Sequence, residues 1–270
     1  MKKWLPNLNY KLMLLLTISI SMIVIISFIS YYIYSNMSAE ILDQEKQRLA
    51  VQSKAVEMNL DSIMEEGQIA VNLIANNPDV QEAFAERDRE ELLEILLEAY
   101  QSVSDQMAQF QFHLPDSTSF LRLHSPENYG DDLSDFRGTV NQANQDRSTV
   151  VGIEEGRGGY GLRVVVPMSY QEEHLGTVEM GSSLGENFLR DMQSQYPGEY
   201  YLYSLAGDES VAWDEDSNDW IASTEDADPY EISESDLTEL ESGEEVLLTE
   251  GNESYLLLPF RDYNDQVSGY

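Results

Sequence analysis

From Leu12 to Ile33 the chain reads LMLLLTISISMIVIISFISYYI, an apolar run without a single charge. A helix rises about 1.5 Å per residue, so a run of this length matches the roughly 30 Å hydrocarbon core of a bilayer. Trp4 and Tyr10 flank its near end, and Tyr31, Tyr32 and Tyr34 its far end, as interfacial aromatic residues do. A cleaved leader has a shorter apolar stretch, about 7–15 residues, followed by small residues at the cut. Ser35-Asn36-Met37-Ser38-Ala39 is a poor match to that pattern. The run therefore reads as an uncleaved anchor. Lys2, Lys3 and Lys11 lie on its near side, and no acid occurs before Glu40. The positive-inside rule then puts residues 1–11 in the cytoplasm, 12–34 in the plasma membrane with lipid as a partner, and 35–270 outside the cell.

The outer part is strongly acidic. The whole chain holds 50 Asp and Glu against 15 Lys and Arg, a formal net charge of -35. That field repels a phosphate backbone and excludes nucleic acid as a partner. Past Lys54 there is no lysine, and from Tyr196 onward Arg261 is the only base. A solvated surface suited to high salt accounts for this acidity, because screening removes the self-repulsion; clusters that hold cations are the competing reading. Cysteine is absent, which excludes disulfides, thiolate metal sites and thiol catalysis.

Ala39 to Asn76 is proline-free, and Leu42, Leu49, Val56, Ile63 and Ala70 recur every seventh residue. This predicts one long stalk helix, whose stripe serves either a paired helix in a homodimer or the core of its own domain. Asn76-Asn77-Pro78-Asp79 stops it. Short helices are expected over Val80–Ala85 and Arg89–Met107. Strands are expected at Gln109–Leu114, Thr118–His124, Val150–Glu155, Gly161–Tyr170 and His174–Ser183, with a capped helix from Asp132 to Asp146 among them. A connecting helix at Gly185–Gln195 leads to a second group. Its strands are Tyr200–Leu205, Ser210–Trp213, Glu245–Thr249 and Ser254–Pro259, its helix is Ser233–Leu240, and another strand begins at Gln266. The fold class is α+β: a transmembrane helix, a stalk helix (35–78) and two antiparallel-sheet domains (79–185 and an incomplete 186–270).

Two segments carry a family resemblance. Phe110 to Arg137 reads FQFHLPDSTSFLRLHSPENYGDDLSDFR, and Val151 to Gly181 reads VGIEEGRGGYGLRVVVPMSYQEEHLGTVEMG. Both resemble the double-Cache sensory domains of bacterial and archaeal transmembrane receptors, in particular the double sensory domain of two-component sensor kinases. The resemblance implies two PAS-like sheets on the long helix, with a ligand pocket in the membrane-distal one. It also implies a second membrane helix and a cytoplasmic output domain, so a sequence that stops at Tyr270 reads as truncated. That output is a chemotaxis signalling hairpin, a histidine kinase or a diguanylate cyclase.

If Pro115 to Thr118 forms a hairpin turn, His113 faces Phe120 and Gln111 faces Arg122. One face then carries Phe110, Phe112, Leu114, Leu121 and Leu123, and the other Gln109, Gln111, His113, Phe120, Arg122 and His124. The second face is either a solvated outer surface or a pocket for a carboxylate or amino acid. His113, Phe120, Arg122, His124, Arg137 and Arg163 are its candidate ligand-binding residues. Gly156, Gly158 and Gly161 fit a dinucleotide fingerprint, but LRVVVP follows where a helix is required, so they read as turn glycines. Asp214, Asp216, Asn218 and Glu225 are spaced like calcium ligands. Position six of that loop is Asp219 rather than the glycine its turn needs, so a calcium-binding surface module is a remote alternative and no metal site is assigned. No nucleophile, zinc or phosphate-loop motif occurs, and the chain does not read as an enzyme.

Overall fold

The computed structural model describes residues 10–104, 107–156, 159–205, 220–226, 232–251 and 253–270. One helix, α1 (Tyr10–Ala75), covers both the apolar run and the stalk. The chain forms two compact units, 1–52 and 53–270. In the first, the apolar side chains of α1 are exposed along its length, Ile23 to 63% and Phe28 to 69%. This helix is long and apolar enough to cross a membrane by length and composition.

In the second unit α1 becomes one-sided. Ser53, Gly67, Val71 and Ala75 are buried, at the spacing of a single helix face. Asn77 caps the next helix, α2 (Pro78–Ala85), by accepting from the Asp79 amide, and Pro78 opens it where a missing N–H costs nothing. Asp88 caps α3 (Arg89–Gln101) in the same way. Helix α3 ends six residues short of the expected Met107.

Five antiparallel strands follow: β1 (Gln109–His113), β2 (Ser119–Arg122), β3 (Val150–Gly156), β4 (Gly159–Tyr170) and β5 (Glu173–Ser183), in the order β2-β1-β5-β4-β3. Alternation along the strands divides the side chains between two faces. Phe110 and Phe112 of β1, Val164 and Val166 of β4, and Val178 and Met180 of β5 form one core with Val71, Phe84, Leu92 and Leu96 of the three helices. Leu60, Ile63 and Met64 of α1 pack on a second cluster, Ile153, Tyr160, Leu162 and Leu184. Ile63 of the seven-residue stripe, with Leu60 beside it, therefore covers this chain's own sheet.

Two expectations need correction here. The helix expected from Asp132 begins only at Gly138, as α4 (Gly138–Asp146), and has no side-chain cap. The residues before it are held along β2, with Ser119 N donating to Asp131 O at 3.0 Å and a Thr118–Asp132 bridge. Backbone used there cannot turn into helix. The β1–β2 register also shifts: Gln111 pairs with Arg122 as expected, but His113 pairs with Ser119, not Phe120. The bulge leaves Phe120 unpaired and turns its ring to the apolar side, 5.3 Å from the ring of Phe84.

The remaining described chain builds three short two-stranded pairs and two helices. After α5 (Glu186–Gln195) come β6 (Tyr201–Leu202), β7 (Ala222–Ser223), α6 (Glu234–Glu241), β8 (Val246–Glu250), β9 (Glu253–Leu257), β10 (Phe260–Arg261) and β11 (Val267–Gly269). Strand β6 pairs with β7, β11 with β10, and β8 with β9. Tyr203 N donates to Tyr270 O at 2.8 Å, which ties the end of β6 to β11. With β9 and β10 taken as one strand broken at Leu258-Pro259, the order β7-β6-β11-β10/β9-β8 repeats that of the first sheet. The strand expected at Ser210–Trp213 and the acidic loop Asp214–Asp219 lie outside the described residues.

Candidate functional site: the polar face of the five-stranded sheet

The face of the sheet turned away from α1 is polar and yet buried. Strand β1 brings Gln111 and His113 to it, β5 brings Thr177 and Glu179, β4 brings Arg163 and β3 brings Glu154, all buried. Helix α4 and the segment before it cover this face, and Arg137 enters from that cover.

Glu179 is the centre of the network. It is fully buried, and its Oε1 accepts from Arg137 Nη2 at 2.5 Å while its Oε2 accepts from Gln111 Nε2 at 3.2 Å. Arg163 Nη1 stands 3.6 Å from Oε1. Burial pushes the Glu179 carboxyl up, but Arg137, Arg163 and His113 outweigh it and bring it down to about 2. Arg137 also donates through Nε to Glu154 at 2.8 Å, and Glu154 accepts from the Thr139 amide at 2.7 Å and the Thr139 hydroxyl at 2.8 Å. The two carboxylates raise the pKa of Arg137 against the lowering effect of burial. Arg163 lies flat across Gly181, where a Cβ would stand 2.1 Å from its Nη1, and donates to Gln109 at 2.6 Å. Only glycine leaves room for that guanidinium.

His113 Nδ1 lies 3.0 Å from Thr177 Oγ1. Its Nε2 is 3.5 Å from Glu179 Oε2 and makes no hydrogen bond. Burial lowers the imidazole to about 3, so it is neutral at ordinary pH. Arg122 sits at the margin, with Nη1 and Nη2 each 2.8 Å from an oxygen of Asp131. It also donates to Asn128 O at 2.9 Å and to Gln111 Oε1 at 3.3 Å. Among the described residues, the buried polar atoms without a hydrogen-bond partner include three on this face: His113 Nε2, Ser119 Oγ and Arg163 Nε. Such atoms cost free energy unless water or a ligand meets them.

Of the six residues singled out in the sequence, His113, Arg122, Arg137 and Arg163 come together here. Phe120 faces the other way. His124 accepts from the Phe110 amide at 3.3 Å through Nδ1, and burial lowers its pKa. Glu179 was not foreseen; its one signal is a lone acid inside the apolar strand HLGTVEMG. A separate cavity of about 460 Å³ lies outside this face, among Tyr160, Ser183, Glu186, Arg190, Trp220 and Thr224.

The fold agrees with the comparisons to known proteins. Among solved structures, the chain is similar to the sensory domain of the Campylobacter jejuni chemoreceptor Tlp3 (13% identity, 83% of this chain and 90% of that one, TM-score 0.53). It is similar to the sensor domain of the Vibrio cholerae histidine kinase DctB (11% identity, 85% and 95% coverage, TM-score 0.51). A domain of a sensory box/GGDEF family protein from Vibrio parahaemolyticus is alike to the same degree (14% identity, 83% and 91% coverage, TM-score 0.51). No curated protein sequence matches. The family profile described as the double sensory domain of two-component sensor kinase matches residues 42–270. The chain belongs to this double-Cache sensory family.

Proposed function

We propose that residues 35–270 are the extracytoplasmic ligand-sensing region of a transmembrane chemoreceptor, and that the polar face of the five-stranded sheet receives the ligand. The membrane-distal domain is then 79–185 and the membrane-proximal one 186–270. The observation that carries this reading is the set of buried, unpartnered donors and acceptors at His113, Ser119 and Arg163 within a sensory fold. Burying such atoms unpaired costs a folded domain free energy. A small carboxylate or amino acid supplies the missing partners, and the Tlp3 domain, similar in fold, has been crystallised with isoleucine bound. The apolar stretch of α1 anchors the region, and a cytoplasmic output domain outside this chain reads it. A ligand shifts the signalling equilibrium only through its differential affinity for the two states.

Thermal denaturation of the full chain in detergent micelles, against a panel of amino acids and small carboxylates, tests ligand sensing. A stabilising ligand raises the melting temperature in a concentration-dependent way. A panel that moves nothing contradicts the reading. Alkaline phosphatase fused at Gly185 tests the topology and is active if this region is external. Loss of a tactic response on deletion of the gene supports the chemoreceptor output. A changed phosphotransfer or cyclic dinucleotide signal instead supports a histidine kinase or diguanylate cyclase.

A further inference from the structure

The buried network is already neutral. Arg122, Arg137 and Arg163 face three carboxylates, Asp131, Glu154 and Glu179. An arriving carboxylate therefore leaves the network with an excess negative charge unless it displaces one of the three. Glu154 and Glu179 have side chains 5% and 0% exposed, whereas that of Asp131 is 39% exposed. Released into water, Asp131 regains its hydration, which neither buried glutamate can do in place. The Arg122–Asp131 pair is also the part of the network that solvent reaches first.

Asp131 closes a strap that leaves β2 at Leu123 and returns along it, with Gly130 N donating to Ser119 O at 2.7 Å. Two arginines hold this strap. Arg122 holds it from inside, through Asp131 and Asn128 O. Arg89 of α3 holds it from outside, donating to Pro126 O at 2.7 Å with its guanidinium 3.3 Å from the ring centre of Tyr129.

We infer that Arg122–Asp131 is an exchange latch: a ligand carboxylate takes the place of Asp131 on Arg122 and frees the 123–131 strap from its inner anchor. A carboxylate of the ligand presents the same two-oxygen edge to the guanidinium fork as Asp131 does. The strap then keeps Arg89 as its remaining arginine side-chain anchor beside its backbone hydrogen bonds to Ser119, so ligand occupancy is passed to α3. This inference rests on the polar face being the ligand site.

The test is Asp131→Asn in the full chain in detergent micelles, a change that keeps the shape of the residue and removes its charge. Hydrogen exchange of the ligand-free variant is expected to speed up at amides 123–131 while those of 159–183 keep their protection. L-Isoleucine, acetate and succinate serve as probes by calorimetry, and a probe that binds the wild type is expected to bind the variant about tenfold more tightly, since its internal competitor is gone. Unchanged protection of the strap in the variant overturns the latch, as does a probe that binds both proteins equally, which leaves the site itself standing. Failure of every probe to bind either protein overturns the ligand reading and the latch with it.

Discussion

Gly67 of α1 lies directly against Met180 of β5: a Cβ on Gly67 would stand 2.4 Å from Met180 Cε and 2.7 Å from its Sδ. Met180 follows Glu179, whose carboxylate centres the polar network on the opposite face. One strand thus touches the candidate ligand site with one residue and the stalk helix with the next. A displacement of β5 at Glu179 reaches α1 through this contact.

Enlarging Gly67 forces that contact apart. Gly67→Leu overpacks the site and is expected to cost about 1–3 kcal/mol, read by thermal or denaturant unfolding of the full chain. Met180→Ala in the same background makes room, and part of the loss is recovered. Gly67→Leu with undiminished stability contradicts the close packing of α1 on β5.

Removing Glu179 leaves Arg137 and Arg163 without their shared counter-charge. Glu179→Ala is expected to destabilise by about 3–5 kcal/mol, as the loss of one partner of a buried pair does. Arg122→Ala removes a partly solvated pair and costs about 1 kcal/mol or less by the same measurement. Equal losses in the two variants contradict the division into a buried structural centre and an accessible margin.

Acid unfolding has a defined sign. His113 is held at about 3, below its ordinary value of 6.5, so between those values the unfolded chain binds a proton that the folded chain does not. Its contribution is complete above pH 6.5 and is lost as pH falls toward 3. Glu179, held at about 2 against 4.5, adds a loss of the same sign from pH 4.5 downward. One proton changes stability by about 1.4 kcal/mol per pH unit. Stability of the wild type is therefore expected to fall more steeply than that of His113→Gln between pH 6.5 and 4.5. Parallel curves for the two proteins contradict a buried neutral His113.

Ile63 of the seven-residue stripe packs on this chain's own sheet, so a paired helix at this height needs another stripe. Met58, Ile69 and Leu73 are exposed to 61%, 63% and 70%, on the side of α1 opposite Gly67 and Val71. We propose that this stripe meets a second copy, which anchoring by the same helix orients in parallel. Cysteine at Ile69 or Leu73 is expected to crosslink between subunits in membranes, while cysteine at Ile63, which packs on the Ile153–Tyr160 cluster, is not. Crosslinking at Ile63 as efficient as at Ile69 contradicts this seam.

Period and punctuation made most of the fold legible. The two-residue alternation of FQFHL, the apolar β4 run and the Asn77–Pro78 stop all mark elements where the structure has them. The bulge at Phe120 was not legible, because a one-residue slip follows from packing against Phe84 rather than from strand composition. Nor was the late start of α4, since Asp132 and Ser134 suit a turn and a helix cap alike. At the site, histidine and arginine stood out as rarities in an acidic chain, and four of six converged. Glu179 went unseen for the opposite reason: with 50 acids in the sequence, one more carries no signal until its burial is known.

Calorimetric titration of the full chain with the panel of amino acids and small carboxylates, repeated on Arg122→Ala and Arg190→Ala, tests the central claim most directly. Arg122 belongs to the polar face, and Arg190 lines the separate cavity of about 460 Å³. The account expects a saturable ligand whose binding is lost in Arg122→Ala and kept in Arg190→Ala. Binding kept in Arg122→Ala and lost in Arg190→Ala would place sensing in the other cavity and contradict the account.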